Sequence, residues 1–269
     1  RWQSEHQAKA PRQYVLADDR LSAPAALHLV RQGVAIIWQG DYHQAKQLLS
    51  AMARQIDKSK KRKTLPENLL ERFNRHRLAQ SQKAQLLSLL LMKVQVEADG
   101  TLHVQARRAP NIQAAAQAAW LPQQEDFVVS LRELLGVIGA WEWRQKGVWI
   151  ASLQERIYPF YGVFSPIRGE YLDLVAQAPL PEPCQRAFDI GAGTGVLSAI
   201  LAQRGVQEIF ATDNSSRAVA CSQFNLAHLG FSEQVTVLEQ EFFPEGQADL
   251  IVCNPPWLPS KSASTLEAA

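Results

Sequence analysis

The order of apolar and polar residues divides the chain into two regions with different patterns. Before about residue 150, apolar residues recur at three- and four-residue steps, which is typical of amphipathic helices. Between these segments, Val94 and Val96 alternate with polar residues, a turn follows at Asp99 and Gly100, and alternation resumes, so a β-hairpin is predicted. We expect a mainly helical domain with a β-hairpin over residues 1–150, with helices at 22–33, 41–57, after 66, at 111–120 and at 127–146.

The second region begins after an aromatic stretch, residues 147–166, that contains Pro159, Gly162 and Pro166 and is predicted to be a linker. Beyond it, short apolar runs alternate with helical patterns, and this alternation predicts a parallel sheet covered by helices. We therefore expect an α/β domain over residues 151–269, with strands at 187–190, 208–212, 235–238 and 250–253 and helices at 196–204 and 217–229.

Charge separates the same two regions. The chain has 28 Lys and Arg against 26 Asp and Glu, yet the first 150 residues hold 22 basic and 13 acidic residues, and the remainder holds 6 and 13. The basic first region indicates an anionic partner. Its densest run admits two interpretations, a solvated surface or a contact with RNA or DNA phosphates, and the residues concerned are Lys58, Lys60, Lys61, Arg62 and Lys63.

Several classes of function are disfavoured by composition. The three cysteines, Cys184, Cys221 and Cys253, form no C-x-x-C pair, and the six histidines form no paired helical motif, so we expect buried thiols and no metal site. The longest apolar run, 86–92, is too short for a bilayer span. No charged-then-apolar leader is visible, and the cytoplasm is the expected location.

Glycines mark the turn after the first predicted strand of the second region. Gly191, Gly193 and Gly195 follow Asp189 in a G-x-G-x-G spacing, which lets a ligand approach the backbone and differs from the G-x-G-x-x-G of dinucleotide enzymes. Asp213 ends the second strand, where a carboxylate can accept both hydroxyls of a ribose. The alternatives are a plain tight turn for the glycines and a helix N-cap for Asp213.

A second motif, Asn254-Pro255-Pro256-Trp257, comes directly after the apolar strand 250–253. With the glycine turn, it resembles the class I S-adenosylmethionine-dependent methyltransferases, which carry an N-P-P-aromatic signature and modify planar amino groups. Upstream, residues 161–166 resemble the G-V-F-S segment of the methyltransferase small domain found in rRNA guanine-N2 methyltransferases. The resemblance covers about 158–260 and implies a Rossmann-like parallel sheet.

The resemblance also implies roles for individual residues. The cofactor S-adenosylmethionine would be held by the glycine turn and by acidic residues, with Glu241 near the adenine and Phe164 beside the methionine end. For these last two, a solvated loop acid and simple packing are equally good explanations. The implied cofactor residues are Asp189, Gly191, Gly193, Gly195, Asp213, Glu241 and Phe164, and the implied catalytic residues are Asn254, Pro255, Pro256 and Trp257.

The chemistry of the tetrapeptide follows from its residue types. An exocyclic amino group is a poor nucleophile because its lone pair is delocalised. The Asn254 side-chain oxygen and the Pro255 carbonyl can each accept one of its N–H bonds, the prolines fix φ, and Trp257 offers a face on which a base stacks, worth ~1–3 kcal/mol. A rigid loop after a strand is the structural alternative.

We expect an N-methyltransferase acting on guanine N2 or adenine N6 of an RNA, such as rRNA or tRNA. A protein glutamine amide is the alternative substrate, since release-factor methyltransferases use a similar tetrapeptide. A nucleic-acid-binding protein with a remnant methyltransferase domain is an alternative of another class. The methyltransferase fold has seven strands and only four are predicted here, so we expect an incomplete catalytic domain.

Overall fold

The computed structural model describes residues 1–5, 7–60, 68–166 and 169–255, with the side chains of residues 59 and 60 excepted. It contains two compact units, Arg1–Ile138 and Gly139–Ala269. The first unit holds β1 (Trp2–Gln3), β2 (Gln13–Ala17), α1 (Ala23–Arg31), β3 (Val34–Trp38), α2 (Tyr42–Lys60), α3 (Leu69–Leu87), β4 (Leu90–Val96), β5 (Leu102–Val104), α4 (Gln113–Ala119), β6 (Phe127–Ser130) and the start of α5 (Leu131–Lys146).

Helices α1 and α2 of the first unit begin after residues whose side chains cap them. The Ser22 side chain accepts a hydrogen bond from the Ala25 N–H, and α1 follows. Asp41 does the same for α2, because its Oδ1 accepts from the His43 N–H at 2.9 Å. The buried face of α2 includes Ala45 and Met52, both fully buried. The helices expected near 22–33, 41–57 and 111–120 are confirmed.

A six-stranded sheet in the first unit was not predicted. Its strand order is β1-β6-β4-β3-β2, with β5 also paired to β4. Strands β2, β3 and β4 run parallel, while β4 pairs antiparallel with β5 and β6. The β4–β5 hairpin is confirmed, but a helical domain with one hairpin is an incomplete description. The expected helix at 127–146 is wrong at its start, since 127–130 form β6.

The second unit begins with the end of α5, followed by β7 (Val148–Ile150), β8 (Glu155–Ile157), α6 (Glu170–Gln177), β9 (Arg186–Ile190), α7 (Val196–Gln203), β10 (Glu208–Asp213), α8 (Ser216–His228), β11 (Val235–Glu239) and β12 (Leu250–Cys253). The prediction of a linker at 147–166 is wrong. β7 and β8 form an antiparallel pair, and their apolar residues Ile150 and Ile157 belong to the buried core that also contains α7.

The sheet of the second unit is parallel, in the order β11-β10-β9-β12. The predicted strands and helices are confirmed, each to within about one residue. Every residue of α7 from Val196 to Ala202 is buried, which explains why this segment is apolar on all sides. The α/β class with a parallel sheet is therefore correct for this unit.

No helix among the described residues is long and apolar enough to cross a membrane. The thiols differ in their surroundings: Cys221 is buried, Cys184 is half-buried and Cys253 is exposed. The expectation of buried thiols therefore holds for Cys221 and is wrong for Cys184 and Cys253. Cys253 lies at the end of β12, whose alternate residues are exposed.

Candidate active site

The site is built at the carboxyl ends of β9 and β12, which are neighbours in the sheet. In their parallel register Cys253 lies beside Ile190. Asn254 and Gly191 are the next residues on the two strands, so the sheet brings together the two motifs that the sequence separates widely. Ligands of open α/β sheets bind at this edge.

The turn between β9 and α7 depends on its glycines. Gly191, Gly193 and Gly195 all have positive φ, at 74°, 55° and 76°. A Cβ on Gly195 would lie 3.2 Å from the Ser222 Cα, so glycine is required for the approach of α8. A Cβ on Gly191 would meet nothing within 4 Å. The turn thus packs tightly on its α8 side and is open at its start.

Asp213, the last residue of the neighbouring strand β10, is hydrogen-bonded to the glycine turn. Its Oδ2 accepts a hydrogen bond from the Gly193 N–H at 3.0 Å, and its Oδ1 accepts from the Ser215 N–H at 2.9 Å. The N-cap of α8 is Ser215, whose side chain accepts from the Ala218 N–H. Asp213 therefore is not the N-cap that the sequence offered as an alternative. Each of its carboxylate oxygens keeps further acceptor capacity.

Asp189 lies fully buried beneath the turn. Its Oδ2 accepts from the Ser198 N–H at 3.0 Å and from the Ser198 hydroxyl at 2.6 Å, which ties β9 to the first turn of α7. Oδ1 has no hydrogen-bond partner among the described residues. The pKa of Asp189 is raised to about 6, mainly by burial and to a smaller extent by the nearby Asp213 charge. The hydrogen bonds from Ser198 act in the opposite direction.

Tyr171, in the first turn of α6, hydrogen-bonds the side chain of Asn254. Burial raises the pKa of Tyr171 to about 12, the charge of Asp189 adds to the rise, and the hydrogen bond with Asn254 lowers it. Tyr171 and the Asn254 side chain therefore lie within hydrogen-bonding distance of each other at the carboxyl end of β12.

The loop after β11 is anchored beside Asp213. The Gln240 N–H donates to the Asp213 carbonyl oxygen at 3.0 Å, and the Thr212 hydroxyl donates to the Phe242 carbonyl oxygen at 2.7 Å. Glu241 lies in this loop with an exposed side chain. Phe164 is also exposed, at 56% of its surface.

The remaining predicted residues are only partly described. Pro255 lies in the described chain directly after Asn254, while Pro256 and Trp257 lie outside the described residues. Lys58 is exposed on α2, Lys60 ends that helix, and Lys61, Arg62 and Lys63 lie outside the described residues. Within the part of the chain that the structure describes, no group of three or more His, Cys, Asp or Glu is arranged to hold a metal ion.

A family model described as methyltransferase small domain matches residues 162–268. The match lies within the second unit and begins after β8. The matched residues include the glycine turn, Asp213 and Asn254.

Curated relatives match over the same part of the chain. A tRNA1(Val) (adenine(37)-N6)-methyltransferase of Parabacteroides distasonis is 38% identical over 81 residues, 28% of this chain and 34% of that protein. A release factor glutamine methyltransferase of Cereibacter sphaeroides is 34% identical over 94 residues, 34% of each chain. The chain therefore spans about a third of the length of these two relatives.

Solved structures give weaker similarity. A ribosomal protein L11 methylase of Lactobacillus delbrueckii subsp. bulgaricus is 25% identical, with a TM-score of 0.33 over 38% of this chain and 54% of that chain.

Three residues of the matched segment were missed by sequence reasoning. Ser198 fixes Asp189, Tyr171 holds Asn254, and Asn225 donates to the Thr194 carbonyl oxygen in the glycine turn at 3.0 Å. Ser198 and Asn225 lie inside helical patterns, where a polar residue signals only an interruption of the apolar face. Tyr171 lies in α6, and no sequence pattern links α6 to the residue that follows β12.

Proposed function

We propose that this protein transfers a methyl group from S-adenosylmethionine to an exocyclic amino nitrogen of an RNA base, guanine N2 or adenine N6. The observation that carries the proposal is the register of β9 and β12, which sets Asn254 beside the start of the glycine turn. In this proposal residues 151–269 are catalytic and residues 1–150 recognise the substrate.

The described residues fit such a cofactor. The start of the turn is open above Gly191, the Asp213 carboxylate is held at the end of β10 where ribose hydroxyls can donate to it, and Asp189 carries a buried oxygen without a partner among the described residues. When bound, S-adenosylmethionine supplies an electrophilic methyl group on a sulfonium. The acidic residues around the turn provide a negative field that favours a cationic ligand.

The contribution of the protein to the transfer is to orient the accepting nitrogen. Asn254 Oδ1 and the Pro255 carbonyl oxygen each accept one N–H of the amino group, so that its lone pair points away from the base plane. Pro255 removes freedom from the backbone through its fixed φ. Correct alignment of the reacting atoms is worth up to ~7–11 kcal/mol, and no nucleophilic side chain is needed for a direct transfer.

RNA is preferred to protein as substrate for two reasons. The first 150 residues carry 22 basic against 13 acidic residues, which suits a phosphate backbone. Among the relatives, the match at 38% identity is named for adenine N6 of a tRNA. A protein glutamine amide is the second candidate, because the release factor glutamine methyltransferase match is of similar extent. A cytoplasmic location stays a prediction.

The test uses the full-length protein with methyl-labelled cofactor and, separately, total RNA and total protein. Label in RNA, lost in Asn254→Ala, is the expected result. Label in protein alone would contradict an RNA substrate and favour a protein glutamine amide. Full transfer by Asn254→Ala would contradict the role of the amide, and cofactor binding without transfer to either fraction would favour the remnant domain.

A further inference from the structure

An arginine of the second unit is held among aromatic rings on the face of α8. The guanidinium carbon of Arg144 lies 3.7 Å from the centre of the Phe160 ring and 5.4 Å from that of Phe224. The centre of the Trp141 ring is 5.8 Å from the same carbon. We call these four residues the Arg144 cage. Such contacts fix the plane of the guanidinium without using its N–H donors.

Arg144 has no ion-pair or hydrogen-bond partner among the described residues. Other arginines of the unit are engaged. Arg156 donates to the carbonyl oxygens of Lys146 and Gly147, and Arg204 donates to those of Val175 and Ala178. Arg186 pairs with Glu208 at 2.5 Å. Arg144 therefore presents unused donors from a fixed position.

The unpaired charge is also partly removed from water. Arg144 is half-buried, and burial lowers its pKa while the nearby Cys221 opposes that effect. A half-buried guanidinium gains more from an anion than a solvated one does, because the anion meets a lower dielectric and displaces less water. A structural arginine would be expected to reach a carboxylate or carbonyl oxygen instead.

The cage is connected to the proposed cofactor site through α8. Arg217 in the first turn of α8 lies over the Tyr161 ring at 5.5 Å, and Arg217, Cys221 and Phe224 share one helical face. At 1.5 Å rise per residue, Phe224 is about 10 Å along the helix from Arg217. The start of α8 lies at the sheet edge that carries the proposed site, so the cage, further along this helix, can meet a backbone phosphate that flanks the base bound at Asn254.

We propose that the Arg144 cage binds a backbone phosphate of the substrate RNA. The guanidinium fork matches two phosphate oxygens, and Phe224, 45% exposed, offers an adjoining ring on which a base can stack. A carboxylate of an acidic protein partner would pair with the Arg144 charge, but it would supply no base to stack on the exposed Phe224 ring. The inference rests on the RNA form of the proposed function.

The test measures equilibrium binding of full-length protein to unfractionated tRNA and to total rRNA over a range of KCl concentrations. Arg144→Gln is expected to weaken binding about tenfold and to reduce the salt slope by about 0.7–0.9, the contribution of one phosphate. Arg144→Lys restores the slope but only part of the affinity, since it keeps the charge and loses the fork. Unchanged thermal unfolding and cofactor affinity show that these variants fold.

Arg186→Gln is the matched control. Arg186 also lies over a ring, that of Phe210 at 5.7 Å, but is paired with Glu208, and its loss is expected to leave the slope unchanged. Equal slopes and affinities for wild type and Arg144→Gln overturn the inference, as does an equal effect of Arg186→Gln. Failure of the wild type to bind either RNA also overturns it. Arg144-dependent RNA binding without methyl transfer supports the cage and rejects the proposed function.

Discussion

Tyr171 and Asn254 are joined by a hydrogen bond between side chains of α6 and the residue after β12. This hydrogen bond restrains the Asn254 amide, the group that is proposed to hold the accepting nitrogen. With a pKa of about 12, Tyr171 stays protonated at neutral pH, and it acts as a positioning residue rather than as a base.

The first prediction concerns this pair. Tyr171→Phe keeps the packing of the ring against the core but releases the Asn254 amide, and kcat for methyl transfer is expected to fall roughly 10- to 100-fold. Cofactor Kd and thermal stability are expected to stay close to wild type. Tyr158→Phe is the matched control, because the Tyr158 hydroxyl has no hydrogen bond to any described residue.

A double-mutant cycle separates positioning from a general loss of structure. In an Asn254→Ala background, Tyr171→Phe is expected to cause no further loss of kcat, because the amide that it orients is gone. Additive losses in the double variant would show that Tyr171 acts by another route.

The second prediction concerns pH and Asp189. Its pKa of about 6 lies above the ordinary carboxyl value, so the site loses negative charge as pH falls through 6. Affinity for the cationic cofactor is expected to decrease from pH 7 to pH 5, as measured by calorimetry. Asp189→Asn should bind more weakly at pH 7 with a flatter profile. A wild-type affinity that is constant over this range would contradict a charge role.

The third prediction isolates the packing role of Gly195. Gly195→Ala is expected to destabilise the protein by about 2–4 kcal/mol, from both its left-handed φ and the approach of Ser222. Gly230 has nearly the same φ, 79° against 76°, with nothing within 4 Å. Gly230→Ala should therefore cost only about 1–2 kcal/mol. Denaturant unfolding measures the free energy of unfolding of both variants. Equal decreases would show that α8 moves away from residue 195 at little energetic cost.

The fourth prediction concerns Glu133, which is buried in the first unit near Glu5 and accepts the Glu5 N–H at 3.2 Å. Burial raises its pKa to about 7, and the Glu5 charge adds to this while the backbone hydrogen bond opposes it. The folded state thus binds the proton more tightly than the unfolded state. Stability contributed by this group is present below pH 4.5 and is lost as pH rises through 7.

Thermal unfolding from pH 5 to pH 8 tests this sign. Glu133→Gln cannot titrate, so its Tm advantage over wild type is expected to grow with pH. Glu125→Gln, at an exposed site of the same unit, should follow wild type throughout. A Glu133→Gln curve parallel to that of wild type would contradict the raised pKa.

The sequence predicted the sheet of the second unit because its strands are short apolar runs between clear turn residues. The run 250–253 was placed with correct bounds, and the glycine turn follows β9 as expected. The inner strands β9 and β10 are buried over most of their length, which produces such apolar runs, and the carboxyl ends of the strands define the site. Asp189, Asp213 and Asn254 could thus be singled out by their positions at the ends of predicted strands.

The sheet of the first unit could not be predicted in this way. β1 has two residues and β6 has four, and β6 leads into α5 without a turn signal, so its apolar residues extend the helical pattern. β7 and β8 were hidden because Pro159 and Gly162 suggested a linker. Contacts such as Tyr171 with Asn254 escape prediction since they join distant elements whose spacing only the folded chain sets.

The Asn225 side chain links the glycine turn of the second unit to Tyr158. Asn225 donates to the Thr194 carbonyl oxygen in the glycine turn and accepts from the Tyr158 N–H. A shift of the turn must therefore carry Tyr158 with it or break one of these two bonds. Phe160, two residues further on, lies under Arg144. A ligand that shifts the glycine turn is therefore expected to displace Tyr158 and Phe160, and by thermodynamic reciprocity a ligand at Arg144 would then alter affinity at the turn by the same factor.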